Sequence, residues 1–405
     1  MGYRKEVVKG VSWIGFLRFA TKAIGFIETI VLAHILIPSQ FGAYGIALLT
    51  LGLLEVISET GVNIFLIQEE TIDEYINSAW IVSILRGIII SGTLYILSPV
   101  ISNFFHSPDS LFLLRMISIA PLIRGFINPA VVSFQKKLLF VKDFSYQFVI
   151  LIIDTCVSIT VCFITKSPIG IATGLIAGVL VELLLSFLVV SPRPRMEFKK
   201  GYVQKIFHGG KWVTVGGIFD YLFENADNIV VGRMLGATSL GIYQTAYSLA
   251  VIPLNEVGKV FVHVTTPVMV KFPDDKKRLR SAFLQSLVSV FALVFPIVIL
   301  LTLFPKLFVL ILGQRWLKIE SVIPVLALLG FVRSLSGTSS ALFLSLKKQN
   351  ITMYAMFIAT GGLILCIVPL VNKFGIIGAG LSALIGSILA VPFIIYNVRR
   401  ILKYE

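Results

Sequence analysis

The sequence predicts an all-α membrane protein of about 12 transmembrane helices, arranged as two pseudo-symmetric six-helix lobes around a central cavity. Two observations predict it. Hydrophobic residues make up 57% of the chain and charged residues 14%, with a mean hydropathy of +0.93; a soluble domain is usually about 45–50% apolar and about 25% charged. The chain also matches itself at an offset of 199 residues. Gly10 and Trp13 meet Gly209 and Trp212, and Glu28, Ile30, Val31, Leu36, Gly42, Tyr44 and Ala47 meet Asp227, Ile229, Val230, Leu235, Gly241, Tyr243 and Ala246. A period near half the length means two copies of one unit, not a solenoid of short repeats.

Apolar runs of about 20 residues, enough to cross roughly 30 Å of hydrocarbon, follow one another along the whole chain. The first copy holds 11–36, 41–65, 77–101, 111–133, 144–165 and 168–191. The second holds 209–234, 240–266, 282–304, 320–344, 351–371 and 375–397. The organisation read from them is an N-terminal lobe over 1–191, a cytoplasmic linker over 192–205 and a C-terminal lobe over 206–405. An even number of spans in each copy makes the halves parallel, related by an axis along the membrane normal. The first run is read as retained, not as a cleaved signal peptide: it is too long, carries Arg18, Lys22 and Glu28, and has a counterpart in the second copy.

Lysine and arginine set the orientation. If the N-terminus is inside, cytoplasmic segments carry about 21 of them and the opposite side about 5, namely Lys166, Lys306, Arg315, Lys318 and Lys373. Both termini are therefore expected in the cytoplasm, with the chain in the plasma (inner) membrane. The same bias accounts for most of the net charge of +14. No basic-aromatic recognition motif accompanies it, so nucleic acid is not an expected partner.

Soluble chemistry is sparse. Cys156, Cys162 and Cys366 all lie in apolar segments without a CxxC pair, and the four histidines have no metal-ligand spacing. No metal site, catalytic residue or cofactor is expected, apart from a coupling H⁺ or Na⁺. The run GIIGAG (375–380) lacks the Lys-Ser/Thr of a phosphate loop and opens a membrane helix. It belongs instead to a small-residue face: Gly170, Gly174 and Gly178 recur every four residues, and Gly378, Ser382 and Gly386 repeat the pattern at an offset of 208. In lipid such faces let helix backbones approach closely, which buries the sixth and twelfth helices against neighbours.

Charges inside the spans mark where function is expected, because each costs about 2.5–3.5 kcal/mol at mid-bilayer on insertion scales. Arg124 and Arg333 occupy the fourth helix of each copy at an offset of 209, and pseudo-symmetry places them on opposite walls of the cleft. Arg18 and Lys22 share a helix face at i, i+4, and Asp220, Glu224 and Asp227 approximately share another. Those two sets either pair with each other or contact substrate and coupling ion. Arg86, Arg115, Arg233 and Lys259 lie near predicted helix ends, where snorkelling to the interface is expected.

The stretches HILIPSQFGAYGIALLTLGLLEVISETGVNIFLIQ (34–68), DNIVVGRMLGATSLGIY (227–243) and ILGQRWLKIESVIPVLALLGFVRSLSGTSSALFLSL (311–346) resemble the polysaccharide-transporter branch of the multidrug/oligosaccharidyl-lipid/polysaccharide exporter superfamily. These are the Wzx-type flippases, and the colanic-acid and teichuronic-acid exporters are the most similar subgroup. The resemblance runs from about residue 5 to residue 400, with the 227–243 run its most specific piece. It implies lobes that rock between inward- and outward-facing states around a lipid-linked oligosaccharide cargo on undecaprenyl pyrophosphate. It also implies membrane lipid, a polysaccharide polymerase and glycosyltransferases as partners. Superfamily members that carry peptidoglycan precursors usually have fourteen helices, so twelve argue against that cargo.

An anionic lipid cargo fits the residues independently, because arginine holds phosphate oxygens by paired charge-assisted hydrogen bonds. Arg124, Arg333, Arg18 and Lys22 are the candidate substrate contacts, and Asp220, Glu224 and Asp227 the coupling-ion candidates. Tyr221, Asn225, Tyr243 and Tyr247 are candidates for sugar hydroxyls. A cation-coupled multidrug antiporter of the same superfamily would call for an acidic, aromatic cavity, against which the paired arginines speak. A membrane glycosyltransferase or polymerase would need a catalytic loop outside the membrane, and the outer loops are short.

Overall fold

A computed structural model describes residues 21–69, 72–137 and 139–402, and every regular element among them is a helix. The chain divides into two compact units, residues 1–222 and 223–405. Among the described residues, eight helices are long and apolar enough to cross a membrane, and a bent pair adds a ninth. Arg18 lies outside the described residues, as does the beginning of the first predicted span.

In the N-terminal unit, α1 is helical through 21–35 and is followed by α2 (Pro38–Ile57). Ile37 between them is extended (φ −95°, ψ 159°) because Pro38 excludes the helical region for its predecessor and then starts the next helix at a position that needs no N–H. The predicted run 41–65 does not stay one helix. It breaks after Ile57 at Gly61, whose φ is +67° and whose N–H is held by Glu59 Oε1 at 2.9 Å, before α3 (Val62–Gln68). Then come α4 (Ile72–Phe104), α5 (Asp109–Ile117) and α6 (Ile119–Gly125).

The run 111–133 is likewise bent, by 75°, between α6 and the segment Pro129–Lys136, which ends in α7 (Ser133–Lys136). Pro129 cannot continue a helical ladder, and Asn128 caps the short turn after it by accepting the Ala130 N–H at 3.0 Å. The spans α8 (Phe140–Thr165) and α9 (Ile169–Val189) complete the unit's bundle.

The polar segment after α9 is strapped to this unit. Asn77 accepts the Arg195 N–H at 2.8 Å and donates to Glu197 at 2.9 Å. Lys199 and then Asn77 hold the Glu197 carboxyl below the usual carboxylate range.

The C-terminal unit contains most of α10 (Lys200–Val270), whose helical course is interrupted at Gly236 (φ 79°, ψ 176°). The predicted spans 209–234 and 240–266 lie on the two sides of that break. They are followed by α11 (Lys276–Leu303), α12 (Lys306–Leu312), α13 (Ile319–Ser345), α14 (Gln349–Phe374) and α15 (Ile376–Leu402).

Close packing in both units rests on missing side chains. A Cβ on Gly174 would run into Ser158 of α8, and one on Gly178 would lie 3.1 Å from the Asp154 Cβ. In the other copy, Gly378 backs onto Leu370 and Gly386 onto Ala359 of α14, while Ser382 between them is fully buried. The small-residue stripe thus seats the last helix of each copy on the helix before it, where lipid-facing side chains would gain little from burial. The outward positions are correspondingly apolar: Ile96, Leu184, Leu310 and Leu365 are all exposed.

Candidate functional sites in the two units

The N-terminal unit encloses a cavity of about 720 Å³, with Glu55, Glu59, Arg86, Arg124, Asn128 and Glu182 among its walls. Five helices and a loop deliver the charges: α2 brings Glu55, α4 Arg86, α6 Arg124, α8 Asp143 and α9 Glu182, and the loop after α2 adds Glu59. Arg124 Nη1 donates to Glu55 Oε1 at 2.6 Å. Arg86 Nη2 donates to Glu59 Oε2 at 3.0 Å and to the Glu55 carbonyl at 2.7 Å, and its Nε reaches Ser58 Oγ at 3.3 Å. Arg86 therefore does not snorkel. Its distance from a predicted helix end suggested an interfacial side chain, but the loop after α2 returns Glu59 to within reach. Both pairs keep some solvent access, with side chains 26–38% exposed, so each guanidinium stays available to a competing anion.

A second polar group lies on α1 and α8. Thr155 donates to Glu28 at 2.9 Å, and Ser158 to Asp154 at 3.2 Å. Lys22, on α1, is exposed.

The C-terminal unit has a smaller cavity, about 260 Å³, with Phe223, Glu224, Asn255, Lys259 and Arg333 among its walls. Arg333 extends from α13, donates from Nη1 to the Tyr247 hydroxyl at 2.5 Å and lies over the Phe223 ring at 4.7 Å. Tyr243, fully buried, donates to Asp227 Oδ2 at 2.7 Å, and the other oxygen of that carboxylate takes the Asn228 N–H at 2.8 Å.

The three acids grouped by helical spacing therefore live in different surroundings. Asp227 is sealed at 1% exposure, while Asp220 and Glu224 are exposed. Three of the tyrosines expected to meet sugar hydroxyls are engaged within the protein: Tyr243 with Asp227, Tyr247 with Arg333 and Tyr221 with the Leu49 carbonyl. Lys259, read from the sequence as lying near a helix end, sits inside α10 well before it ends at Val270, lines this cavity and faces Glu256 at 3.7 Å with its side chain 60% exposed. Sequence reading passed over Asn255, Thr352 and Ser387 of this cavity, since single polar residues in apolar helices carry no periodic signal.

A polytopic helical protein made of two units, each with a charged cavity, has the build of a membrane transporter. Solved structures share that fold. The lipid II flippase MurJ in an inward closed conformation superposes with a TM-score of 0.76 over 96% of this chain and 87% of that one, at 15% identity. An inward-facing multidrug resistance MATE family transporter of the MOP superfamily gives 0.63 over 96% and 98%, at 14% identity.

The chain belongs to the family described as "Polysaccharide biosynthesis protein", whose profile matches residues 31–321. Among its relatives is the lipopolysaccharide biosynthesis protein WzxC of Escherichia coli K12, 26% identical over 87% of this chain and 72% of that protein. The teichuronic acid biosynthesis protein TuaB of Bacillus subtilis is 22% identical over 86% and 73%.

Proposed function

We propose that this chain is a flippase that carries undecaprenyl-pyrophosphate-linked oligosaccharide units from the cytoplasmic to the outer leaflet of the plasma (inner) membrane by alternating access. Family membership, the names of the relatives and the likeness to a lipid flippase all support it. The observation that carries it is the Arg124–Glu55 pair, beside Arg86–Glu59, in the N-terminal cavity. A guanidinium offers a phosphate two parallel donors, and a pyrophosphate carries enough charge to displace a carboxylate from it. Glu55 then competes for Arg124 when the cargo must leave. Binding and release thus share one switchable pair, with no covalent intermediate and no enzymatic step.

In this reading the lobes 1–191 and 206–405, joined by 192–205, alternate between inward- and outward-facing states, with both termini in the cytoplasm. Arg18 and Lys22 are further candidate contacts for the anionic headgroup. Coupling to H⁺ or Na⁺ falls to Asp220, Glu224 and Asp227. The two exposed acids are the ones a cation reaches from solvent, and neutralising Asp220 or Glu224 abolishes coupled transport without loss of fold.

The test is delivery of labelled lipid-linked oligosaccharide to the outer face of reconstituted vesicles. Arg124→Ala and Arg333→Ala each lower it about 10- to 100-fold, as expected for losing a charged hydrogen-bond partner worth about 1.5–3 kcal/mol. Arg124→Lys restores only part, since lysine presents a point charge where arginine presents a fork. Because Arg86 lines the same cavity, Arg86→Ala also impairs delivery. Full activity in the Arg124/Arg86 double alanine variant would sink the anionic-headgroup reading, and full activity in Arg333→Ala would remove Arg333 from the cargo site.

A further inference from the structure

The polar groups of the two cavities are satisfied very differently. In the N-terminal cavity the guanidiniums meet carboxylates. In the C-terminal cavity, four wall residues each present a buried side-chain atom with no hydrogen-bond partner within the protein: Asn255 Oδ1, Arg333 Nε, Thr352 Oγ1 and Ser387 Oγ. Among the described residues only two other such atoms occur, on Thr60 and Asn228, and neither residue lines that cavity. Buried polar atoms are normally paired, because each unpaired one forfeits its hydration. Ser387 is 6% exposed, so solvent at the surface does not compensate it. Arg333 is held in place by Tyr247 and Phe223, and among the described residues no carboxylate forms an ion pair with it.

The chemistry of the four atoms selects the ligand. Arg333 Nε only donates, Asn255 Oδ1 only accepts, and the two hydroxyls do either. A phosphate oxygen satisfies the donors but leaves Asn255 Oδ1 unmet. A hydrocarbon satisfies none of them. Vicinal hydroxyls on a ring offer donors and acceptors together, and a cavity of about 260 Å³ is close to the ~300 Å³ lower end of small-molecule sites. We infer that the C-terminal unit contains a saccharide subsite, in which Asn255, Arg333, Thr352 and Ser387 bind the hydroxyls of a sugar ring. This deepens the flippase reading and rests on it for the origin of the sugar: the N-terminal arginines take the pyrophosphate, and this cavity takes part of the glycan.

Thr352→Val and Ser387→Ala test it cleanly, because they remove unpaired hydroxyls with little change of shape and leave folding intact. Saturation-transfer NMR on the solubilised full chain would use the methyl glycosides of glucose, galactose and N-acetylglucosamine as probes, with inorganic phosphate as competitor. The wild type shows transfer from ring protons of at least one glycoside, undisturbed by phosphate. The double variant binds it about 3- to 10-fold more weakly while its melting temperature is unchanged or higher. In vesicles the same variant slows undecaprenyl-pyrophosphate-linked oligosaccharide but not undecaprenyl pyrophosphate itself, whereas Arg124→Ala slows both.

Absence of transfer from all three glycosides, unchanged binding in the double variant, or displacement by phosphate would each overturn the subsite. If wild-type vesicles move neither lipid yet the glycoside binds through these hydroxyls, the subsite stands and the flippase reading falls.

Discussion

Ile37 and Gly236 occupy the same corner of the two copies, 199 positions apart, and turn it with opposite signs of φ, −95° and +79°. The first copy uses the dipeptide Ile37–Pro38, in which proline imposes the extended backbone. The second places Gly236 at φ 79°, ψ 176°, a region essentially restricted to glycine. Nothing lies within 4 Å of a Cβ built there, so the requirement is conformational and not one of space. Gly236→Ala therefore lowers stability by about 1–3 kcal/mol, read as a drop in the thermal midpoint in detergent. Ile37→Ala, at an exposed extended position, stays within about 0.5 kcal/mol.

Glu55 is predicted to act as a competitor for Arg124. Glu55→Gln removes the charge that the cargo must displace, so the apparent KM for lipid-linked oligosaccharide falls about 3- to 10-fold while kcat also falls, because release loses its driving partner. Vesicle kinetics over a range of cargo concentrations measure both. A rise in KM would mean that Glu55 instead positions Arg124 for binding.

The buried Asp227 depends on Tyr243 for one of its few donors. Tyr243→Phe keeps the ring and removes the hydroxyl, costing about 1.5–3 kcal/mol as a buried carboxylate loses a hydrogen bond. The Asp227→Asn/Tyr243→Phe pair costs less than the sum of the single changes, a coupling that a double-mutant cycle in thermal stability resolves.

Two glycines on membrane-spanning helices respond oppositely to the same methyl group. Gly174→Ala drives a Cβ into Ser158 and the Asp154 carbonyl of the neighbouring helix, and costs about 1–3 kcal/mol. Gly361→Ala on α14 meets nothing within 4 Å and gains up to about 1 kcal/mol from helix propensity. Thermal midpoints of the two variants, measured side by side, fall on either side of the parent.

Much of the architecture was legible because membrane spans and gene duplication write themselves in one dimension. Apolar length located the helices, and Gly174 and Gly386 announced their close contacts through spacing alone. The breaks were harder. Gly61 and Pro129 interrupt runs that remain apolar on both sides, so hydropathy sees one span where the backbone turns.

The sites were the least legible. Symmetry points to Arg124 but not to its partner Glu55, 69 positions away, and the distance of Arg86 from a helix end says nothing about a carboxylate brought back by the fold. The counterpart of Glu55 at the repeat offset is Leu254, which is why the second copy could not reveal the pairing.

For the flippase proposed above, the ion pairs of the N-terminal cavity bear on what an idle transporter would cost the cell. Bare guanidiniums in a wet cavity would attract chloride and inorganic phosphate, and a conformational cycle carrying such ions would dissipate the membrane potential. A carboxylate already seated on each of Arg86 and Arg124 must first be displaced, so a singly charged small anion competes poorly there even though the guanidiniums stay open to solvent. Only a multiply charged headgroup with a lipid tail to anchor it competes well enough to dislodge them. On that reading, the contacts proposed to tune release of the cargo would also act as a seal against leakage between turnovers.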